Sequence, residues 1–504
     1  MTTHSEYQGN APAEAGAGGW NPGPPDPMRW KTLAVLGLIQ YMLVLDVTVV
    51  NIALPSIQKD LHFSDSGLPW VVNAYVIVAG GLLLLGGRLA DLLGRRRLFL
   101  VGVTIFGLAS IVCGAAGNSA LLVTARFVQG SGEAFAAPAA LGIIALLFTN
   151  PAERGKAFGI WGGLAGLGGV SGTVISGVLV DYASWRWIFF INVPIALVAL
   201  VLIPRLTKES RMQREHDRPD FSGAILGTLG LLAVVYGLLQ VVPHSWGSWH
   251  VLLPLLGGLV LIVAMFVREA YSPAPLIPRD FFANRTRLVA NLSTLISTAG
   301  FFTYAFLLTL FEQQVLDYSP IKGGLSYLPF GLAIGMGIGL NNALMPKLGV
   351  RKVLALGLFG SAVGLFLTCL IDTATKYPSG VLPGMVVLGL STGVAIPAAA
   401  SAALHDVDMQ NSSLASAVQN VMQQVGAAVG IAVLAALAFT HATHLMHGGT
   451  GPAAAAAAGY ALSFRVGASL MLVSAVLVLL TLGNPKAADW GGGGSPEEAA
   501  ESPA

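Results

Sequence analysis

Charge is scarce in this chain. Only 10% of its 504 residues are Asp, Glu, Lys or Arg, against about 25% in a soluble domain. A soluble globular fold is therefore excluded, and a net charge of +2 gives no basic excess with which to bind nucleic acid. Cysteine is nearly absent. Cys113 and Cys369 both lie in apolar runs and read as packing residues, which excludes a disulfide framework and a cysteine-held metal. No Gly-x-x-x-x-Gly-Lys-Ser/Thr loop occurs, so the chain has no phosphate-binding loop for using ATP by itself. No cluster with metal-ligand spacing and no nucleophile–base set lies in the apolar runs, which argues against an enzyme: no catalytic residue, metal or cofactor is expected. No short apolar core with a small-residue cleavage pattern follows the N-terminus, so no signal peptide is read there.

What fills the chain is apolar surface, 54% of residues. Runs of spanning length occur near 33–54, 69–87, 98–117, 119–148, 155–180, 187–204, 222–242, 251–267, 288–311, 323–345, 353–371, 380–404, 412–440 and 462–482. The expectation is an all-α membrane protein of fourteen helices. Gly, Pro and Ala dominate the N-terminus, so 1–30 and 484–504 read as disordered cytoplasmic tails. With the N-terminus in the cytoplasm, 21 of the 27 basic residues fall on the cytoplasmic side. Five are external (Lys59, Arg186, Lys322, Lys376 and Arg465), and Arg126 lies within the fourth run. This asymmetry predicts a multi-pass protein of the cell (inner) membrane with both termini inside.

The chain also repeats. Leu89 to Arg97, between runs two and three, aligns with Leu344 to Lys352, between runs ten and eleven; Gly94 matches Gly349. Gly130 to Pro138 likewise resembles Gly389 to Pro397. The organisation read from this is a six-helix bundle at 31–205, a cytoplasmic linker at 206–221, two inserted helices at 222–270 and a second bundle at 271–483. Two parallel six-helix halves are the architecture of the major facilitator transporters.

Two acids and one arginine stand out at membrane depth, where charge is costly and by default functional. Asp46 lies roughly 20 Å from the inner end of its run, and Arg126 roughly 9 Å from the outer end of its own, at about 1.5 Å per residue. Across a core of about 30 Å the two reach similar depth, so an ion pair is feasible. Glu133 shares a helix face with Arg126, two turns deeper, with no other cation at its level. One acid beside a cation and one without suit proton loading and release, and Asp46, Arg126 and Glu133 are the expected proton-coupling set. Structural alternatives stand beside each: Asp46 bonding helix termini, Arg126 tying two helices, Glu133 packed as a neutral acid.

Several stretches carry a family resemblance. Leu45-Asp46-Val47-Thr48-Val49-Val50-Asn51-Ile52-Ala53-Leu54-Pro55 resembles the first-helix signature of the fourteen-helix drug:proton antiporters of the major facilitator superfamily. Gly87 to Arg97, Arg126 to Gly130 and Trp185 to Pro194 are similar to that family's 2–3 loop, helix-4 and helix-6 motifs. The helix-5 stretch Gly172-Thr173-Val174-Ile175-Ser176-Gly177 lacks the proline and one glycine of the family pattern; Leu92 and Glu133 also depart from it. The resemblance implies that Gly87, Asp91, Gly94 and Arg95 form a cytoplasmic gate that latches the two halves. The competing reading of the Arg95–Arg97 run is a topology signal only.

Trp70, Tyr75, Trp161, Phe301, Phe302 and Tyr304 are aromatic candidates for a substrate cavity, and the plainer role of each taken singly is facing the bilayer or packing. Gln40, Gln129, Gln240, Asn420 and Gln423 are amide candidates whose plainer role is interhelical hydrogen bonding. Glu312 is expected to be wetted at an outer helix end, and His441, His444 and His447 to lie in an external loop. Together these lead to the expectation of a monomeric, proton-coupled secondary transporter exporting a small amphipathic compound, with a cationic compound as the narrower form. The rival readings are a proton-coupled importer or facilitator on the same fold, and a non-transporting membrane sensor.

Overall fold

The computed structural model describes residues 26–148, 150–209, 221–241, 243–271, 283–403 and 412–482. The tails expected at 1–30 and 484–504, and most of the 206–221 linker, lie outside the described residues. Among those described there are fifteen α-helices and no strand. A helix satisfies every backbone polar group within one segment, which an apolar chain in hydrocarbon requires.

The first six-helix group comprises α1 (Arg29–Leu61), α2 (Trp70–Leu93), α3 (Arg95–Gly114), α4 (Ser119–Leu147), α5 (Pro151–Tyr182), the single turn α6 (Trp187–Phe190) and α7 (Asn192–Leu206). The hairpin α8 (Phe221–Leu239) and α9 (Trp249–Tyr271) follows. The second group comprises α10 (Arg285–Leu310), α11 (Pro320–Ser326), α12 (Leu328–Thr368), α13 (Leu382–Ala403), α14 (Ser412–His447) and α15 (Pro452–Thr481). Twelve helical segments among the described residues are long and apolar enough to cross a membrane; a shorter apolar stretch, Ile225–Leu239, lies in α8. Helix α12 runs through what the sequence presents as two runs, but Gly349, at φ 74 and ψ 162, breaks it into two pieces. Fourteen crossings are compatible with this arrangement.

The sequence repeat reappears in the backbone. Gly94 separates α2 from α3 at φ 106, and Gly349 sits at the equivalent turn of the second group; both lie in the region that side-chain-bearing residues rarely adopt. Two residues on, Arg96 donates to the Thr207 carbonyl just past α7 at 2.9 Å. Its counterpart Arg351 donates to the Leu479 carbonyl near the end of α15. Gly130 on α4 lies against the Tyr75 carbonyl, as Gly389 on α13 lies against that of Phe330. Small residues at these crossings let the helices approach closely.

The two groups meet in a seam at the end opposite the basic loops. Gln313 Nε2 donates to the Ile52 carbonyl at 2.8 Å, Gln314 Nε2 to Gln58 Oε1 at 2.9 Å, and the Ile321 amide to Asp181 Oδ2 at 2.9 Å. Gly177 of α5 is packed so tightly that a Cβ there would stand 2.6 Å from the Ile321 Cα. Toward the basic end some helix faces carry no close contact. A Cβ at Gly159, Gly162, Gly163 or Gly166 of α5, or at Gly335 or Gly339 of α12, would meet nothing within 4 Å.

Two sequence expectations are corrected. Glu312 is fully buried: the chain beyond α10 widens into a π-turn (Phe311–Val315) whose buried residues are Phe311 and Glu312. His441, His444 and His447 belong to the last turns of α14, which continues to His447. Cys113 and Cys369 are both free and buried.

Candidate functional site

The α1 acid and the α4 arginine do meet. Asp46 and Arg126 are 0% and 1% exposed, and Arg126 Nη1 lies 2.5 Å from Asp46 Oδ2. Taking two charges out of water costs several kcal/mol per ion, and the pair is tolerated only if the remaining lone pairs and protons are satisfied (about 3–5 kcal/mol is lost when one partner is removed). Here the surrounding helices provide that satisfaction. Asp46 Oδ1 accepts from Gln129 Nε2 at 2.8 Å and from Asn192 Nδ2 at 2.7 Å. Arg126 Nη1 also donates to Gln129 Oε1 at 2.8 Å, and its Nε to the Val71 carbonyl at 2.9 Å. Ser110 Oγ accepts from Gln129 Nε2 at 2.9 Å. The guanidinium carbon lies 4.3 Å from the centre of the Tyr75 ring, an attraction that strengthens when both partners are dry.

Helices α1, α2, α3, α4 and α7 thus converge on one ion pair. The helical period explains the convergence: Arg126 and Gln129, three residues apart, share the face of α4 that looks at α1. The Gln129 amide can be oriented only with oxygen toward the arginine and nitrogen toward the carboxylate.

Glu133 continues the same face of α4. Its side chain is half-buried, and its Oε2 is enclosed without a hydrogen-bond partner. The Tyr75 hydroxyl of α2 is likewise enclosed and without a partner, and it interacts electrostatically with Glu133. Tyr75 therefore offers its ring face to Arg126 and its hydroxyl to the surroundings of Glu133. Buried polar atoms left unpaired are rare, and each calls for a proton, a ligand or a water to satisfy it.

Around the expected gate residues the described contacts centre on a capping carboxylate. Glu209, in the segment after α7, accepts from the Arg96 amide at 3.1 Å and the Arg97 amide at 3.0 Å. A carboxylate from a distant segment thus caps α3, satisfying orphan amides where the helix dipole favours an anion. Gly94 is required twice over, by its φ of 106 and because a Cβ would stand 2.4 Å from Glu209 Oε1. Arg95 Nη1 donates to the Gly142 carbonyl of α4 at 3.2 Å. Gly87 faces Pro138 at ordinary contact distance. Asp91 falls within α2, but its side chain lies outside the described residues.

Of the other cavity candidates, only Tyr75 and Gln129 join the ion pair. Trp161 is buried in the core. Trp70 is half-buried, with its ring near Phe127 and Tyr236. Tyr304 is buried against Phe330 and Phe464, and half-buried Phe302 packs on Phe301. Gln40, Gln240, Asn420 and Gln423 are half-buried; among the described residues none is hydrogen-bonded to another.

Residue-level reading overlooked Asn192, Ser110, Glu209 and the burial of Glu312. Asn192 was within reach, since it sits inside the Trp185–Pro194 stretch. Ser110 was too, because fifteen residues of α3 carry it about 22 Å from Arg95, the depth of Asp46. The other contacts of that stretch are structural: Trp185 Nε1 and Arg186 Nη1 both donate to Asp60 Oδ2, at 2.9 and 2.7 Å.

Comparison with known proteins adds four matches. The Major Facilitator Superfamily profile matches residues 36–431. The chain is 40% identical over 460 residues to a puromycin resistance protein of Streptomyces alboniger, covering 90% of this chain and 91% of that one. It is 38% identical over 418 residues to a lincomycin resistance protein of Streptomyces lincolnensis, covering 82% and 85%. Among solved structures it resembles a bacterial homologue of the human lysosomal transporter Spinster in an inward-facing, occupied conformation. The TM-score is 0.66 at 16% identity, over 91% of this chain and 97% of that one.

Proposed function

The chain belongs to the major facilitator superfamily and is a transporter, not an enzyme; from that premise we propose that it exports antibiotics or similar small amphipathic metabolites in exchange for protons. Support for the substrate class comes from relatives named for puromycin and lincomycin resistance. Support for proton coupling comes from one observation above all: a fully buried Asp46–Arg126 pair lies above an enclosed, unpartnered carboxyl oxygen on Glu133. We also take the basic end as cytoplasmic, with fourteen crossings, both termini inside and the protein working as a monomer.

In this reading the structure is the state open to the cytoplasm. Asp46 is ionised and held by Arg126, Gln129 and Asn192. Opening the far seam hydrates this site and lets Asp46 take a proton. A neutral Asp46 no longer anchors Arg126, whose side chain then turns along its helix face toward Glu133, with Tyr75 between them. Closing the far seam again exposes the loaded site to the cytoplasm, where arriving substrate displaces the proton. Coupling requires that substrate and proton differ in affinity between the two states, since equal affinity shifts no equilibrium.

The test is a resistance profile of cells lacking and overproducing the protein. It is followed by transport of puromycin and lincomycin into everted vesicles under an imposed pH gradient. Accumulation that needs an acidic vesicle interior is expected. Uptake that runs with the proton gradient would make the protein an importer, and uptake insensitive to any gradient would make it a facilitator.

A further inference from the structure

The second group of helices holds a buried acid of its own, Glu312. Its side chain is 0% exposed, and among the described residues no cation stands within ion-pair distance. It lies in the π-turn Phe311–Val315, a local widening of the helix that recurs at functional sites. Ser326 Oγ stands 2.8 Å from Glu312 Oε1, 2.7 Å from Oε2 and 2.7 Å from the Gly323 carbonyl. A serine hydroxyl has one proton and cannot donate to three acceptors. If that proton goes to Gly323, as the distance allows, the hydroxyl oxygen faces two carboxylate oxygens across hydrogen-bond distance. Such a contact needs a proton between them.

No other group offers one. Tyr327 donates to the Ala305 carbonyl at 2.9 Å, and Tyr377 to the Ser326 carbonyl at 2.6 Å. Tyr304 is buried without a partner, and the Lys322 ammonium sits 3.6 Å over the Tyr318 ring. From α1 and α15 the neighbouring segment is met by Ile52, Gln58 and Tyr460, through Gln313 and Gln314, with no charge among them. An ionised carboxylate would therefore be dry and accept at most one hydrogen bond, a state costly enough that such groups neutralise instead.

We propose that Glu312 is a second proton-binding site of this transporter, its proton held between the carboxyl and Ser326 and trapped when the far seam closes. The trap is geometric. Ser326 ends α11, the helix whose Gly324 and Ile321 pack on Thr173 and Gly177 of α5. Parting α5 from α11 carries the serine away and wets the acid. The role in transport rests on the proton-coupled reading above, whereas the proton itself is observable without substrate or transport.

The experiment is infrared difference spectroscopy of the purified full-length protein in lipid nanodiscs, titrated between acid and alkaline buffer. The wild type is expected to show a protonated-carboxyl band that Glu312→Gln loses and that Asp46→Asn and Glu133→Gln keep. Ser326→Ala should move that band, because its hydrogen-bond acceptor is gone, and should do so even if Glu312→Gln folds poorly. Gly177→Ala, which obstructs seam closure, should speed exchange of that proton for deuterium. A carboxyl region unchanged by both Glu312→Gln and Ser326→Ala overturns the assignment, and an exchange rate unchanged in Gly177→Ala overturns the trap. Neither result touches Asp46, so failure here is separable from failure of proton-coupled export.

Discussion

Replacing Asp46 with Asn changes one atom and leaves the site without a consistent hydrogen-bond arrangement. In the native protein Oδ2 faces Arg126, while Oδ1 faces two amide donors, Gln129 and Asn192. An asparagine has one oxygen. With that oxygen toward Arg126, its amide nitrogen meets two other donors; with the oxygen toward the amides, the nitrogen meets a guanidinium. Rotating Gln129 does not help, because its oxygen also serves Arg126 Nη1. The variant therefore buries a cation without its anion, at a cost of about 3–5 kcal/mol. At about 1.4 kcal/mol per factor of ten, that is roughly two to three and a half orders of magnitude in the population of the paired state. Gradient-driven accumulation in everted vesicles, normalised to protein abundance, should fall to background, and the thermal midpoint should drop as well. Arg126→Gln in the same chain should recover part of the stability, since it removes the stranded charge, but none of the coupling. Full gradient-driven transport by Asp46→Asn would show that the pair is a structural tie.

Arg126→Lys should also fail in vesicles, because one ammonium cannot reach the Val71 carbonyl, Asp46 and Gln129 with the fixed fork of a guanidinium. Asn192→Ala should lower stability by about 1.5–3 kcal/mol, the worth of a hydrogen bond to a charged group, and unfolding in a denaturant series reads it. Gly94→Ala should cost roughly 1–3 kcal/mol through its backbone conformation alone, with further loss from contact with Glu209; the melt of the purified protein checks it. A reporter fused near His244, between α8 and α9, should register the external side, and a cytoplasmic signal would remove the α8–α9 crossings from the proposed topology.

The helices were legible because their signal is redundant. Each run is long and dominated by apolar residues, and the positions of lysine and arginine suggest its orientation independently. The 2–3 and 10–11 turns were legible for a sharper reason: Gly94 and Gly349 are demanded by backbone geometry that other residues resist. Asp46 and Arg126 could be matched because depth along a straight helix is simple arithmetic. Their supporting cast could not be read the same way. Asn192 reaches Asp46 from 146 residues away, and Glu209 reaches α3 from more than a hundred residues away. Glu312 was misjudged because its position near a helix end implied water, whereas a π-turn directs the side chain inward. The aromatic candidates were chosen by residue type, and most of them pack against other rings.

In the proposed mechanism protons move one way as substrate moves the other, through Asp46. The most direct measurement is substrate-driven proton flux in proteoliposomes loaded with a pH-sensitive dye, comparing wild type with Asp46→Asn at equal incorporation. Adding an exported compound to one side of wild-type vesicles should move protons toward that side and change the dye signal. Vesicles with Asp46→Asn should give none while still binding the compound. Substrate movement without any dye response in the wild type, or an undiminished response in Asp46→Asn, would contradict proton exchange through Asp46.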